Sequence, residues 1–283
     1  MSIKLENGKN KAYLNKGGQF TMSNQPIIYE KRKQTAWIYL NRPDEMNSIG
    51  KALLLALKEA IVQAENDDDI RVVVLSGKGK AFCAGANLKE LLEDLEVKYQ
   101  KEPGLLDLSE ELFGKLEKLS KPLIAALNGI TLAGGLELAM TADFVIASEK
   151  AKIGDAHANF GVLPGAGGAV KLPRKIGVNR AKYLLFTGEF ISAAEMKEYG
   201  LVQEVVSSEE LEITVQEIAD KITEKSPLVL RKMKQLVTDG LEQPVEIALK
   251  QELLSLKAHT KSYDMAEGLA AFTEKRKPVF EGY

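Results

Sequence analysis

The chain has 283 residues, of which 45% are hydrophobic and 28% charged, as is usual for a globular protein. Its 38 basic and 40 acidic side chains nearly balance, and this gives no reason to expect nucleic acid or an anionic membrane as a partner. The single cysteine excludes a disulfide framework and favours a reducing compartment such as the cytoplasm. With only two histidines beside it, a structural zinc site is not expected. No apolar run reaches the length of a membrane span.

The first 21 residues differ from the rest, because they are rich in Lys, Asn and Gly and show no apolar periodicity. We expect residues 1–21 to form a disordered extension. From Ile27 onward, apolar runs typical of strands alternate with helical periodicity. The predicted strands are Ile27–Glu30, Thr35–Leu40, Arg71–Ser76, Pro122–Leu127, Phe144–Ser148 and Val202–Val206. Helices are predicted between them, and Ser48 is the expected cap of the first, which runs through Ala64.

After about Ser208 the pattern predicts helices only. The fold class is therefore α/β, with a core over residues 22–207 and a C-terminal helical region over residues 208–283. Apolar stripes on these last helices must be buried against the core or against a partner subunit.

A first glycine-rich segment, Gly77–Leu88, follows a buried strand and opens a helix. Gly85 and Ala86 have little or no side chain, so a ligand can approach the backbone there, where free N–H groups attract negative charge. Taken alone, the segment is equally well explained as a turn that needs small residues.

A second segment, Asn128–Ala139, repeats the arrangement and places Glu137 in the first turn of an apolar helix. A carboxylate there complements the helix dipole, but its apolar neighbours argue against a solvated face. The N–H groups of two such turns can converge on one oxygen and form an oxyanion hole, as a thioester enolate requires.

A third segment, Lys152–Gly168, contains His157, one of two histidines in the chain. Asp155 and Asn159 flank it and are expected to orient the ring. A lone histidine is usually structural, but in this setting His157 is a candidate acid or base.

In order and spacing, these segments resemble the crotonase superfamily, which contains enoyl-CoA hydratases and isomerases. The phrases GKAFCAGANLKE, NGITLAGGLELAMTADFVIAS and FGVLPGAGGAVKLPRKIG carry the resemblance, which extends from about Pro26 to the C-terminus. It implies a spiral of ββα units, a C-terminal α-helical trimerisation region and a homotrimer or homohexamer. It also implies an acyl-CoA thioester as substrate, with coenzyme A as part of the substrate and no separate cofactor.

Carried over by position, the resemblance makes the N–H groups of Ala86 and Gly134 the oxyanion hole. Further residues are expected to contact coenzyme A or the acyl group: Ala84, Gly85, Asn87, Leu88, Phe272 and Lys275. Asn87 stands where the family commonly has Asp. For Lys275, a charged residue at a solvated helix end is an equally good explanation.

The main departure concerns the two glutamates with which hydratases of this family hold one water. Glu137 matches the first, whereas His157 occupies the second position, seven residues before Pro164. An imidazole can serve as acid or base near neutral pH. The hypothesis is therefore a lyase of fatty acid metabolism that hydrates trans-2-enoyl-CoA, with Glu137 and His157 as catalytic residues.

Three alternatives stay open within the resemblance: an isomerase, an acyl-CoA hydrolase or decarboxylase, and a catalytically weak acyl-CoA-binding subunit. A Ser or Cys hydrolase, with Cys83 as the candidate cysteine, is a fourth alternative that does not depend on the resemblance, but the sequence has no nucleophile elbow or partnered histidine for it. A small buried apolar role suits Cys83 better.

Overall fold

The computed structural model describes most of the chain, namely residues 12–14, 20–22, 25–96 and 102–283. The extension predicted for residues 1–21 lies outside the described residues except for a short backbone ladder. In that ladder, β1 (Ala12–Leu14) pairs antiparallel with β2 (Phe20–Met22). Disorder in the extension stays a prediction.

The remaining secondary structure alternates between strands and helices up to residue 206 and is helical afterwards. The strands are β3 (Ile27–Arg32), β4 (Thr35–Leu40), β5 (Val72–Gly77), β6 (Ala81–Cys83), β7 (Leu123–Leu127), β8 (Ile130–Leu132), β9 (Phe144–Ser148), β10 (Lys152–Gly154), β11 (Phe190–Ser192) and β12 (Val202–Val206). The α-helices are α1 (Lys51–Asn66), α2 (Leu88–Glu96), α3 (Leu105–Glu117), α4 (Gly134–Met140), α5 (Gly168–Ile176), α6 (Val178–Thr187), α7 (Ala193–Glu198), α8 (Leu211–Thr223), α9 (Pro227–Gly240), α10 (Val245–His259) and α11 (Tyr263–Glu274). Short 3-10 helices lie at Pro43–Glu45 and His157–Phe160.

A six-stranded sheet with the order β12-β9-β7-β5-β4-β3 forms the centre of the fold. Its strands are parallel except for the β3–β4 hairpin. Ile38 and Leu40 of β4 pack into the cluster that contains α1 and α3, whereas Trp37 and Tyr39 pack against α8 on the other face. Trp37 Nε1 donates to Gln216 Oε1 of α8 at 2.7 Å, so the buried ring keeps a hydrogen bond. Burial on both faces explains why the central strands β4, β5 and β7 are largely apolar runs in the sequence.

A second, four-stranded sheet with the order β11-β10-β8-β6 was not predicted. Its strands have three residues each, which is too short for a period-two pattern to emerge. Strands β6, β8 and β10 run parallel, and β11 pairs antiparallel with β10. The loops that leave the carboxyl ends of the three parallel strands are the glycine-rich segments singled out in the sequence.

The predicted cap at Ser48 is wrong. Helix α1 begins at Lys51 after an extended Gly50, and the Lys51 N–H donates to Glu90 Oε2 of α2 at 2.8 Å. A side chain at Gly50 would collide with that carboxylate, so tertiary contact replaces the local cap. The other predicted boundaries differ from those observed by no more than two residues.

The C-terminal helices divide into one that belongs to the core and others that lie outside it. Helix α8 buries Leu211, Val215 and Ala219 against the large sheet, whereas α9 and α10 bury none of their residues in the chain as described. Large apolar side chains on α9, α10 and α11 stay exposed, among them Met233, Val237, Leu249, Leu253, Leu254, Leu269 and Phe272. Over the described ranges, none of the helices combines the length and apolar character that a membrane crossing requires.

Candidate active site

The carboxyl ends of β6, β8 and β10 lie side by side in the small sheet. Cys83 of β6 pairs with Thr131 of β8, which also pairs with Ile153 of β10. Because the strands are parallel, the segments that follow them leave the same edge. The topology thus brings the three glycine-rich segments together.

Two backbone amides lie close together at this edge. A β-carbon built on Gly134 would be 3.6 Å from the Ala86 nitrogen, and one built on Gly85 would be 3.5 Å from the Gly134 nitrogen. Gly134 is the first residue of α4, so its N–H has no acceptor within the helix. The preceding residue, Ala133, has a φ of 49°, which a non-glycine residue adopts only under tertiary constraint.

The Ala86 amide is left free by the pairing around it. Ile49 N donates to Gly85 O at 2.8 Å and Asn87 N donates to Ile49 O at 2.9 Å, which leaves the Ala86 N–H pointing the other way. Neither the Ala86 nor the Gly134 N–H donates to a backbone carbonyl within the described ranges. Two adjacent free donors can hold a single oxyanion.

Small residues are required where α4 meets β6. A side chain at Gly135 would collide with the carbonyl oxygen of Cys83.

Burial raises the pKa of the Cys83 thiol to about 12, so the thiolate needed for nucleophilic attack is not formed near neutral pH. The hydrolase alternative based on Cys83 therefore loses support.

Glu137 is anchored by the loop that precedes α5. Its side chain is buried, and Oε1 accepts hydrogen bonds from the N–H groups of Ala166 and Gly168, both at 2.8 Å. Both donors belong to a different segment, so Glu137 does more than complement the dipole of its own helix. With Oε1 fixed, Oε2 lies on the side of His157.

His157 faces Glu137 across the edge of the sheet. Its Nε2 atom is 3.9 Å from Glu137 Oε2, and its Nδ1 atom is 3.0 Å from Asp155 Oδ1. The ring N–H is not aligned with that oxygen as a hydrogen bond requires, so the contact with Asp155 is an ion pair when the ring is protonated. Burial of the ring disfavours the charged form, but Asp155 and Glu137 outweigh it and raise the pKa of His157.

The raised pKa predicts how stability depends on pH. Below the pKa of an unfolded histidine, about 6.5, the favourable contacts of His157 contribute fully to the free energy of unfolding. This contribution is lost as the pH rises through the higher pKa of the folded state. The urea midpoint of unfolding should therefore decline between pH 6 and pH 9. We expect His157→Gln to remove the part of this decline that His157 causes. A decline identical in both proteins would contradict the assigned shift.

The other predicted residues occupy different settings. Asn87 caps α2, because its Oδ1 accepts from the N–H groups of Lys89 and Glu90 at 3.2 and 3.3 Å. Ala84 is half-buried, Gly85 is buried and Leu88 is exposed at the start of α2. Phe272 and Lys275, at the end of α11, are exposed in the single chain. Asn159 was expected to orient His157, but its Nδ2 donates to Gly188 O at 2.9 Å, so that prediction is wrong.

One feature of the site was missed from the sequence. The N–H groups of Ala166 and Gly168 hold Glu137, and no pattern in the sequence of that loop indicated this contact. Across the described ranges, no cluster of three or more His, Cys, Asp or Glu side chains is arranged to hold a metal ion.

Comparison with known proteins gives consistent matches over most of the chain. The family model described as enoyl-CoA hydratase/isomerase matches residues 30–283. A crotonyl-CoA hydratase of Syntrophomonas wolfei is 38% identical over 260 residues, which cover 92% of this chain and 99% of the relative. A short-chain-enoyl-CoA hydratase of Clostridium acetobutylicum is 37% identical over 258 residues, covering 91% of this chain and 97% of the relative.

A solved structure agrees with these matches. The crystal structure of an enoyl-CoA hydratase from Bacillus anthracis superimposes with a TM-score of 0.86 at 39% identity, covering 92% of this chain and all of that one.

Proposed function

Since the chain belongs to the enoyl-CoA hydratase/isomerase family, we propose that it hydrates trans-2-enoyl-CoA thioesters. The observation that carries the proposal is the 3.9 Å approach of Glu137 Oε2 and His157 Nε2 beside two free amides. A water about 2.8 Å from each of these two atoms would bridge them and lie near the bound double bond.

The proposed reaction uses four groups. Ala86 and Gly134 donate their N–H groups to the thioester oxygen and stabilise the enolate that forms there. The Glu137 carboxylate accepts a proton from the water while the water oxygen bonds to the β-carbon. The His157 imidazolium then gives a proton to the α-carbon, and the enolate collapses to the 3-hydroxyacyl thioester. Proton transfer from Glu137 to His157 restores the starting state.

The binding assignments form part of the same proposal. Backbone and side-chain atoms around the first glycine loop would line the coenzyme A pocket, namely those of Ala84, Gly85, Asn87 and Leu88. We propose that Phe272 and Lys275 reach the coenzyme A of a neighbouring subunit, which their exposure in the single chain supports. The reaction is proposed to need no cofactor beyond the coenzyme A of the substrate.

Oligomerisation and cellular role are proposed on separate grounds. The exposed apolar side chains of α9 and α10 need a cover, and a homotrimer, alone or paired into a homohexamer, would supply it. A role in fatty acid metabolism follows from the proposed substrate. The free, buried Cys83 suits a reducing compartment such as the cytoplasm.

The direct test is hydration of crotonyl-CoA by the purified protein, followed by loss of the ultraviolet absorbance of the conjugated thioester. Longer trans-2-enoyl-CoA substrates test acyl length in parallel. We expect the absorbance to fall to an equilibrium level and 3-hydroxyacyl-CoA to appear by mass spectrometry. An unchanged absorbance for every chain length, in folded protein that binds coenzyme A, would refute the proposal. Products of isomerisation, hydrolysis or decarboxylation would establish one of the alternatives instead.

A further inference from the structure

We propose that Asp155 is a positioning residue that sets the orientation and proton content of His157, so that Asp155, His157 and Glu137 work as one unit. Its part in turnover rests on the proposed hydratase function. The direct effect on His157 does not, because it is a property of the unliganded protein.

Asp155 is a carboxylate buried in the protein interior. It follows the last residue of β10 and is 1% exposed. Its Oδ2 is buried without a hydrogen-bond partner among the described residues. A buried carboxylate is costly unless its charge is paired, so an adjacent cation is needed to retain it. The nearest candidate is the His157 ring, with Nδ1 3.0 Å from Asp155 Oδ1.

The loop before α5 is shaped around this carboxylate. A β-carbon at Gly168 would come within 2.8 Å of Asp155 Oδ2 and within 2.8 Å of the Pro164 side chain. Gly168 also donates its N–H to Glu137 Oε1. Gly168 therefore lies beside both carboxylates, and Asp155 together with Pro164 leaves no room for a side chain at this position.

The placement has a chemical consequence for the imidazole. With a carboxylate at Nδ1, a proton on Nδ1 is favoured, and Nε2 is directed to Glu137. Asp155 and Glu137 are the charged groups that face the ring, and both favour its cationic form against the effect of burial. A cationic His157 is the form that the proposed reaction needs as a proton donor.

A purely structural role for Asp155 is the competing explanation. Its Oδ1 also accepts the backbone N–H of His157, the first residue of the short 3-10 helix, at 3.3 Å. Asp155→Asn separates the two roles, because the amide oxygen can still accept that bond whereas the negative charge is gone.

The experiment is a titration of the histidine rings by NMR in wild type and in Asp155→Asn. The chain has two histidines, and His259→Gln assigns the second signal. We expect the pKa of His157 to fall by about one unit or more in Asp155→Asn. The alkaline limb of the kcat/KM profile for crotonyl-CoA should move to lower pH with it, while KM changes little. Asp68→Asn, exposed in the turn between α1 and β5, is the matched control and should change neither.

An unchanged His157 titration in folded Asp155→Asn would overturn the proposal, as would a moved titration with an unmoved pH profile. Asp155→Ser, smaller and neutral, supplies a second variant for the same titration if the amide variant fails to fold. A wild type that does not hydrate enoyl-CoA would refute the proposed function alone, because the titration would still decide whether Asp155 controls His157.

Discussion

Glu137→Gln is expected to lower kcat for crotonyl-CoA hydration by about 10²- to 10⁴-fold, the range typical for loss of a general base. The amide oxygen can still accept the N–H groups that Ala166 and Gly168 direct at Oε1, so the loop before α5 should keep its position. The amide nitrogen would replace the oxygen that faces His157 and cannot take a proton from water. KM should therefore change much less than kcat.

Glu149→Gln is the matched control for this variant. Glu149 lies exposed in the turn between β9 and β10, where the same chemical change should leave kcat and KM within twofold of wild type. A Glu137→Gln enzyme with wild-type kcat would mean that another group activates the water, and the proposed role of Glu137 would be wrong.

Gly134→Ala should lower kcat by about 10²- to 10³-fold, as does removal of one donor from an oxyanion hole. The backbone of Gly134 is helical, so alanine meets no conformational barrier there. Its methyl group would lie 3.1 Å from Ile49 Cδ1 and 3.6 Å from the Ala86 nitrogen, beside the space where the thioester oxygen must sit. The substrate oxygen would be displaced from both amides while the protein remains folded.

Gly114→Ala provides the comparison for a glycine that tolerates a side chain. Gly114 lies inside α3, and a β-carbon there meets nothing within 4 Å. This variant should keep full activity and gain about 0.5–1 kcal/mol in the free energy of unfolding. Equal kcat values for Gly134→Ala and Gly114→Ala would contradict the assignment of the oxyanion hole.

The sequence predicted the fold where burial leaves a strong pattern. Runs such as residues 72–75 and Leu123–Leu127 are apolar throughout because both faces of the sheet are covered. The α/β class, the helical C-terminal region and membership of the crotonase superfamily are confirmed. The small sheet was missed because its three-residue strands are held by their neighbours, with no local preference strong enough to detect.

The sequence named candidate side chains for the site but not the contacts that support them. Glu137 and His157 were singled out from their own segments, and the two glycine turns indicated an oxyanion hole whose amides the resemblance assigned to Ala86 and Gly134. The position of Gly168 beside both carboxylates depends on how the turn at Pro164–Gly168 folds back, which no spacing rule encodes. The wrong assignments at Ser48 and Asn159 have a common cause. In both places a hydrogen bond to a residue distant in sequence, Glu90 or Gly188, replaces the local contact that was predicted.

The most direct test of this account is a crystal structure of the protein with a slowly reacting enoyl-CoA analogue bound. The thioester oxygen should lie about 2.7–3.1 Å from both the Ala86 and the Gly134 nitrogen. One ordered water should contact both Glu137 Oε2 and His157 Nε2 and face the β-carbon of the acyl group. A thioester oxygen bound away from these amides, or a His157 ring turned away from that water, would contradict the proposed mechanism.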